Sequence, residues 1–137
     1  MNNVHESFMR QALSQAQRAF DEDEVPVGAV IAMNGQIIAK GYNQVQLLKD
    51  VTAHAEILAI SSACENLQSK YLPEATLYVT LEPCCHHGKT SPCTSAIIKS
   101  KVGEVIYSIN DIDKRVNGKS KKILKSKKPE FINVIIN

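Results

Sequence analysis

Between His5 and Asp21 the apolar residues Phe8, Met9, Ala12, Leu13, Ala16, Ala19 and Phe20 recur at intervals of three and four. That spacing predicts an amphipathic helix over residues 5–21, with its polar face outward. The pattern then changes. Two apolar runs, Val27–Met33 and Gln36–Tyr42, flank the dipeptide Asn34-Gly35. Asn-Gly accepts the two positive φ values of a tight turn, so a β-hairpin is expected. Residues 44–52 read as a polar connector. Helical spacing resumes from His54 through Leu67, where Ile57, Leu58, Ile60, Ala63 and Cys64 are apolar. Thr52 stands where it could cap that helix, and Cys64 is expected to be a small buried residue.

The short apolar run Ala75–Leu81 predicts a buried strand. A helix is expected to open at Cys93 and run to Ser100. A strand is expected within Val102–Ile109, a lysine-rich helix over Gly118–Lys128, and a last strand over Phe131–Ile136. A hairpin followed by alternating helices and strands implies an α/β fold: a three-layer α/β/α sandwich around a mixed sheet of about five strands.

At 137 residues the chain is expected to form a single domain, 1–137. It is 44% hydrophobic and 22% charged, enough apolar content for a real core, and its formal charge of +2 argues for neither nucleic acid nor membrane by itself. There is no apolar run of membrane-spanning length and no signal-peptide core at Met1–Glu6, so a cytoplasmic protein without membrane partners is expected. The acidic run Asp21–Glu24 reads as a solvated helix end and loop. Lys119, Lys121, Lys122, Lys125, Lys127 and Lys128 could meet phosphates, but so modest a net charge fits a solvated lysine face better.

Candidate chemistry concentrates in two segments, Thr52-Ala53-His54-Ala55-Glu56 and the stretch from Glu82-Pro83-Cys84 to Cys93. They offer an imidazole, two well-separated thiols and a spare carboxylate. Zinc takes nitrogen and sulfur ligands tetrahedrally, and a catalytic site keeps one corner for water. His54, Cys84 and Cys93 would fill three corners. Glu56 would remain free to accept the water proton and pass it on. His54 and Glu56 are two residues apart, so they can share a site only if the start of their helix points at it. Disulfides are disfavoured, since nothing marks the chain for export and the neighbours Cys84 and Cys85 would pair only with strain. The competing arrangement is a structural zinc site closed by Cys85, His86 or His87, and a zinc-stabilised binding module without catalysis would be its functional counterpart.

His54–Glu56 together with Glu82–Cys93 resembles the cytidine deaminase superfamily, whose members carry a His-x-Glu element, a Pro-Cys element and a Glu that is not a ligand. The resemblance implies that fold, one zinc ion per chain and hydrolytic release of ammonia from a ring amine. Within the superfamily it divides along the chain. Glu24–Val30, Gly41-Tyr42-Asn43, Asp50–Glu56 and Ala75–Cys84 resemble the bacterial tRNA wobble adenosine deaminases. The eight residues between Cys84 and Cys93, with His86, Gly88, Lys89 and Thr90, and the segment Asp111–Lys119 resemble the riboflavin-pathway pyrimidine deaminases. Carried over residue by residue, the resemblance implies substrate contacts at Asn43, His86, Lys89 and Asp111. The expected substrate is the diaminohydroxyphosphoribosylaminopyrimidine intermediate of riboflavin biosynthesis, an aminopyrimidine nucleotide. Adenosine at the tRNA wobble position stands second, and a free base such as guanine or cytosine third. The same resemblance implies a homodimer.

Overall fold

The computed structural model of the chain describes residues 3–84, 93–109, 119–126 and 130–133. Helix α1 spans Asn3–Asp21 and leads into the expected hairpin, β1 (Gly28–Met33) and β2 (Gln36–Tyr42). Its turn places Asn34 at φ 54° and Gly35 at φ 77°, the two left-handed residues that Asn-Gly supplies. The connector after β2 is not wholly irregular: it holds a single helical turn, α2 (Val45–Leu48). Helix α3 (Ala55–Leu67) precedes β3 (Thr76–Leu81), α4 (Cys93–Ser100), β4 (Glu104–Ile109), α5 (Lys119–Ser126) and β5 (Glu130–Asn133).

The five strands form one mixed sheet in the order β2-β1-β3-β4-β5. β1 is antiparallel to both β2 and β3, whereas β3, β4 and β5 run parallel. The parallel pairs need crossovers, and α4 and α5 supply them. Alternation along the strands divides the core between the two faces. Ala29, Ile31, Leu77, Val79, Val105 and Tyr107 pack toward α3 and α4, whose Ala59, Ala63 and Ile97 join the same cluster. Val30, Ala32, Tyr78 and Ile106 point the other way, to Met9 and Ala12 of α1. The result is the expected three layers, with α1 the one helix of the described residues on its side of the sheet.

Gly41 decides where α3 begins. A Cβ at Gly41 would stand 2.6 Å from the Ala55 carbonyl oxygen and 2.9 Å from the Ala59 nitrogen. Only a residue without a side chain lets the first turn of α3 lie directly on β2. Two local expectations fail. Cys64 is half-buried rather than core, its thiol facing the Lys70 carbonyl at 3.8 Å. Thr52 does not cap α3, because its hydroxyl donates to Asp50 at 2.6 Å instead. On α5, Ser120 and Leu124 are buried while Lys119 and Lys122 are exposed, in keeping with a solvated lysine face. Among the described residues no helix is long and apolar enough to cross a membrane.

Candidate metal centre and active site

Three elements converge at one end of the sheet. His54 is the N-cap residue of α3, with extended backbone at φ −82° and ψ 151°. Cys84 follows β3 by three residues, and Cys93 opens α4. One donor atom from each, the histidine nitrogen and two sulfurs, lies within 4.8 Å of the others. His54 Nδ1 is 3.3 Å from Cys93 Sγ, and the Cys93 backbone N–H donates to Cys84 Sγ at 3.1 Å. Tetrahedral zinc with such ligands holds its donors roughly 3.5–4 Å apart, given metal bonds of about 2.0–2.3 Å. The set therefore fits zinc in donor type, number and spacing. Thr94 N–H also donates to the Cys84 carbonyl at 3.2 Å, which ties the start of α4 to the end of β3.

Electrostatics agree with a thiolate centre. Hydrogen bonding from Cys93 holds the Cys84 thiol down to about 4, with His54 adding to the effect. The first amides of α4 and the positive helix terminus act in the same direction. Cys93 moves the opposite way, raised by its hydrogen bond with Cys84 and by burial. The hydrogen bond to Cys84 raises His54.

Glu56 occupies the second position of α3, so the helix start does point at the cluster, as the two-residue spacing from His54 requires. It is 5% exposed and lines a cavity of about 410 Å³ together with His54 and Cys84. Burial pushes its carboxyl up to about 7, and the Cys84 sulfur adds to that rise. Near neutrality such a group can both accept and return a proton.

The helix starts that wall this cavity are capped from a distance. His54 cannot cap α3, because its ring faces the sulfurs, and it makes no side-chain cap bond. Asn43 does so instead: its Oδ1 accepts from the Ala55 N–H at 2.7 Å. Asn43 is buried and lines the cavity. The Gln44 N–H adds a bond to the Ala53 carbonyl at 3.0 Å. The acidic run departs from expectation at its last residue: Asp21, Glu22 and Asp23 are exposed as expected, and Glu24 is not. Asp23 adopts φ 60° and the Glu24 N–H bonds back to Ala19 O at 2.9 Å, which closes the end of α1. Glu24 is then not solvated but 7% exposed, with its carboxylate on the second and third amides of α2. Sequence reasoning missed Glu24 and the buried, cavity-lining Glu82. Glu24 carried no local signal, since its partners lie 22 and 23 residues away. His86, Lys89 and Asp111, with Cys85 and His87, lie outside the described residues.

Comparison with known proteins agrees with this geometry. Residues 2–109 match the family model of the cytidine and deoxycytidylate deaminase zinc-binding region. The chain is 49% identical over 113 residues to the tRNA-specific adenosine deaminase of Aquifex aeolicus, covering 82% of this chain and 70% of that protein. It is 36% identical over 121 residues to the riboflavin biosynthesis protein RibD of the same organism, covering 87% of this chain but 32% of that protein. A solved structure from work on A-to-I editing by tRNA:A34 deaminases at the wobble position superimposes with a TM-score of 0.79 at 36% identity, over 93% of this chain and 91% of that one. A zinc-binding donor set, a deaminase fold and a family match over most of its length together place the chain in the cytidine and deoxycytidylate deaminase family, as a zinc-dependent hydrolytic deaminase.

Proposed function

We propose that the protein deaminates adenosine at the wobble position of a tRNA anticodon, with Glu56 as its proton carrier. Zinc, when held by His54, Cys84 and Cys93, supplies a Lewis-acidic centre at which water becomes a nucleophile near neutral pH. Glu56 accepts the proton released as the oxygen of water bonds to the ring carbon that bears the exocyclic amine. It returns that proton to the adjacent ring nitrogen. It then carries the second hydroxyl proton to the amine as the carbon–nitrogen bond breaks, so that ammonia leaves and a carbonyl remains. The burial of Glu56 keeps competing solvent from the carboxyl, and Asn43 holds the helix start that aims it.

The observation that carries the choice of substrate is the extent of likeness. The chain spans 70% of the adenosine deaminase at 49% identity, but 32% of the riboflavin protein at 36%. The cavity lining supports the same choice. Among the described residues it includes Asp23, Glu24, Glu56 and Glu82 and no Lys or Arg. Such a wall suits an uncharged base whose phosphates stay outside, and repels a small substrate that brings its phosphate in. The aminopyrimidine nucleotide is the second reading, favoured by the eight residues between Cys84 and Cys93.

Incubation of zinc-loaded protein with an anticodon stem-loop bearing adenosine at the wobble position, with the phosphoribosyl aminopyrimidine, and with guanine and cytosine separates the readings. Inosine in the stem-loop is the expected product. Ammonia from the aminopyrimidine alone would overturn the tRNA reading in favour of the second, and release from no amine would favour a binding module.

A further inference from the structure

We propose that Glu24 is a positioning residue for substrate, a latch that holds α2 in place as one wall of the cavity; this rests on the reading of the cavity as the deaminase active site. Glu24 Oε1 accepts from the Gln46 N–H at 3.0 Å and Oε2 accepts from the Leu47 N–H at 2.8 Å. These are the second and third amides of α2, the pair an N-cap side chain ordinarily satisfies. Gln44, the N-cap residue itself, makes no side-chain bond to them.

α2 has little else to keep it there. A single turn does not hold together by its own backbone bonds. It has no buried residue, and Leu47 and Leu48 are 60% and 50% exposed. A helix without an apolar anchor takes its position from its polar contacts. Glu24, by contrast, is firmly placed, its N–H bonded to Ala19 at the end of α1 and its side chain buried. The latch therefore couples α1, which packs on the sheet, to a turn that does not. Val45 and Gln46 on that turn line the same cavity as His54 and Glu56. The metal ligands sit on other elements, and α3 has its own cap in Asn43. Release of the latch should thus move a substrate-facing wall without moving the reacting groups, so binding suffers and chemistry does not.

Glu24→Gln is the test. It keeps the shape and one acceptor oxygen but turns an NH2 group toward a backbone N–H, so one bond is lost. Zinc content should stay at the wild-type level. Amide hydrogen exchange at Gln46 and Leu47 should quicken at least tenfold, while Ala55 exchanges as before. With the anticodon stem-loop, KM should rise about 5- to 20-fold and kcat stay within about twofold. Glu24→Asp keeps the charge but loses the reach, and should behave like the Gln variant. A role of Glu24 as bare charge predicts the opposite sign: less repulsion of RNA phosphates, a lower KM for Glu24→Gln and none for Glu24→Asp. Unchanged exchange at Gln46 and Leu47 in folded, zinc-loaded Glu24→Gln, or a KM that holds or falls, overturns the latch. The exchange experiment needs no substrate. If the wild type proves silent on the stem-loop, the tRNA reading falls by itself and exchange still decides the latch.

Discussion

On the face of the sheet covered by α1, Met9 and Ala12 meet Val30, Ala32, Tyr78 and Ile106, with Phe8 tilted against Tyr78 at a centroid distance of 5.3 Å. Its polar contacts include a 2.7 Å hydrogen bond between His5 Nδ1 and the Tyr78 hydroxyl, and the Gly28 N–H donating to the buried Thr80 hydroxyl at 3.1 Å. On the face covered by α3 and α4, an equally apolar cluster ends at a group of buried or half-buried ionisable side chains: His54, Glu56, Cys84 and Cys93. Burial of charge costs several kcal/mol per group unless it is paired, bonded or bound to metal. The first face follows the stability rule, because the polar groups it holds are hydrogen-bonded. The second departs from it, and the departure marks the place where chemistry is done.

The largest separation of the two faces is expected from Glu56→Gln beside Met9→Ala. Loss of the proton carrier should lower kcat by about 10²- to 10⁴-fold. Zinc content should be retained, and thermal stability held or raised, because the replaced carboxyl is buried and pushed up to about 7. Unchanged turnover would remove Glu56 from the mechanism. Met9→Ala should do the reverse. Met9 is fully buried under α1, and its truncation should cost about 2–5 kcal/mol in denaturant unfolding while kcat per folded molecule stays as it was. A kcat that drops in Met9→Ala would show that the faces are not independent.

Asn43→Ala lies between these extremes, since Asn43 joins structure to site. It strands the buried Ala55 N–H and should cost about 1–3 kcal/mol. It should also lower kcat, because the start of α3 carries both His54 and Glu56, whereas Asn43→Asp, which keeps the acceptor, should recover most of the stability. If Asn43→Ala loses stability but no activity, the cap is structural alone.

The smallest effect is expected from Tyr78→Phe. Burial, with Glu104 adding to it, raises the Tyr78 hydroxyl to about 12 from an ordinary 10.0. The fold therefore favours the protonated phenol. That contribution is complete below pH 10 and is lost as pH climbs from about 10 towards 12, on the order of 2 kcal/mol in all. Unfolding measured at pH 9 and pH 11 should show a steeper loss for the wild type than for Tyr78→Phe. Equal slopes would mean that the hydroxyl ionises as freely in the fold as outside it.

Much of this was legible in the order of residues. Periodicity along α1, β1 and β3 placed those elements to within a residue or two, and Asn34-Gly35 announced its turn, because both signals depend on neighbours close in the chain. The residue types of His54, Cys84 and Cys93 declared a metal centre, since few other uses join an imidazole to two thiols beside a spare acid. What could not be read was which polar groups complete which helix. Thr52 looked like the cap of α3 by proximity, and Asn43 took the place because Gly41 lets α3 settle directly over the strand that ends beside it. Glu24 looked like one more solvated acid, and is buried because the end of α1 turns it toward α2. Composition and local pattern determined the elements, the fold class and the donor set. Only the tertiary structure decided how the site is braced, because a side chain's partner across 12 or 22 residues is chosen by where the sheet and helices bring it, and no short-range preference encodes that meeting.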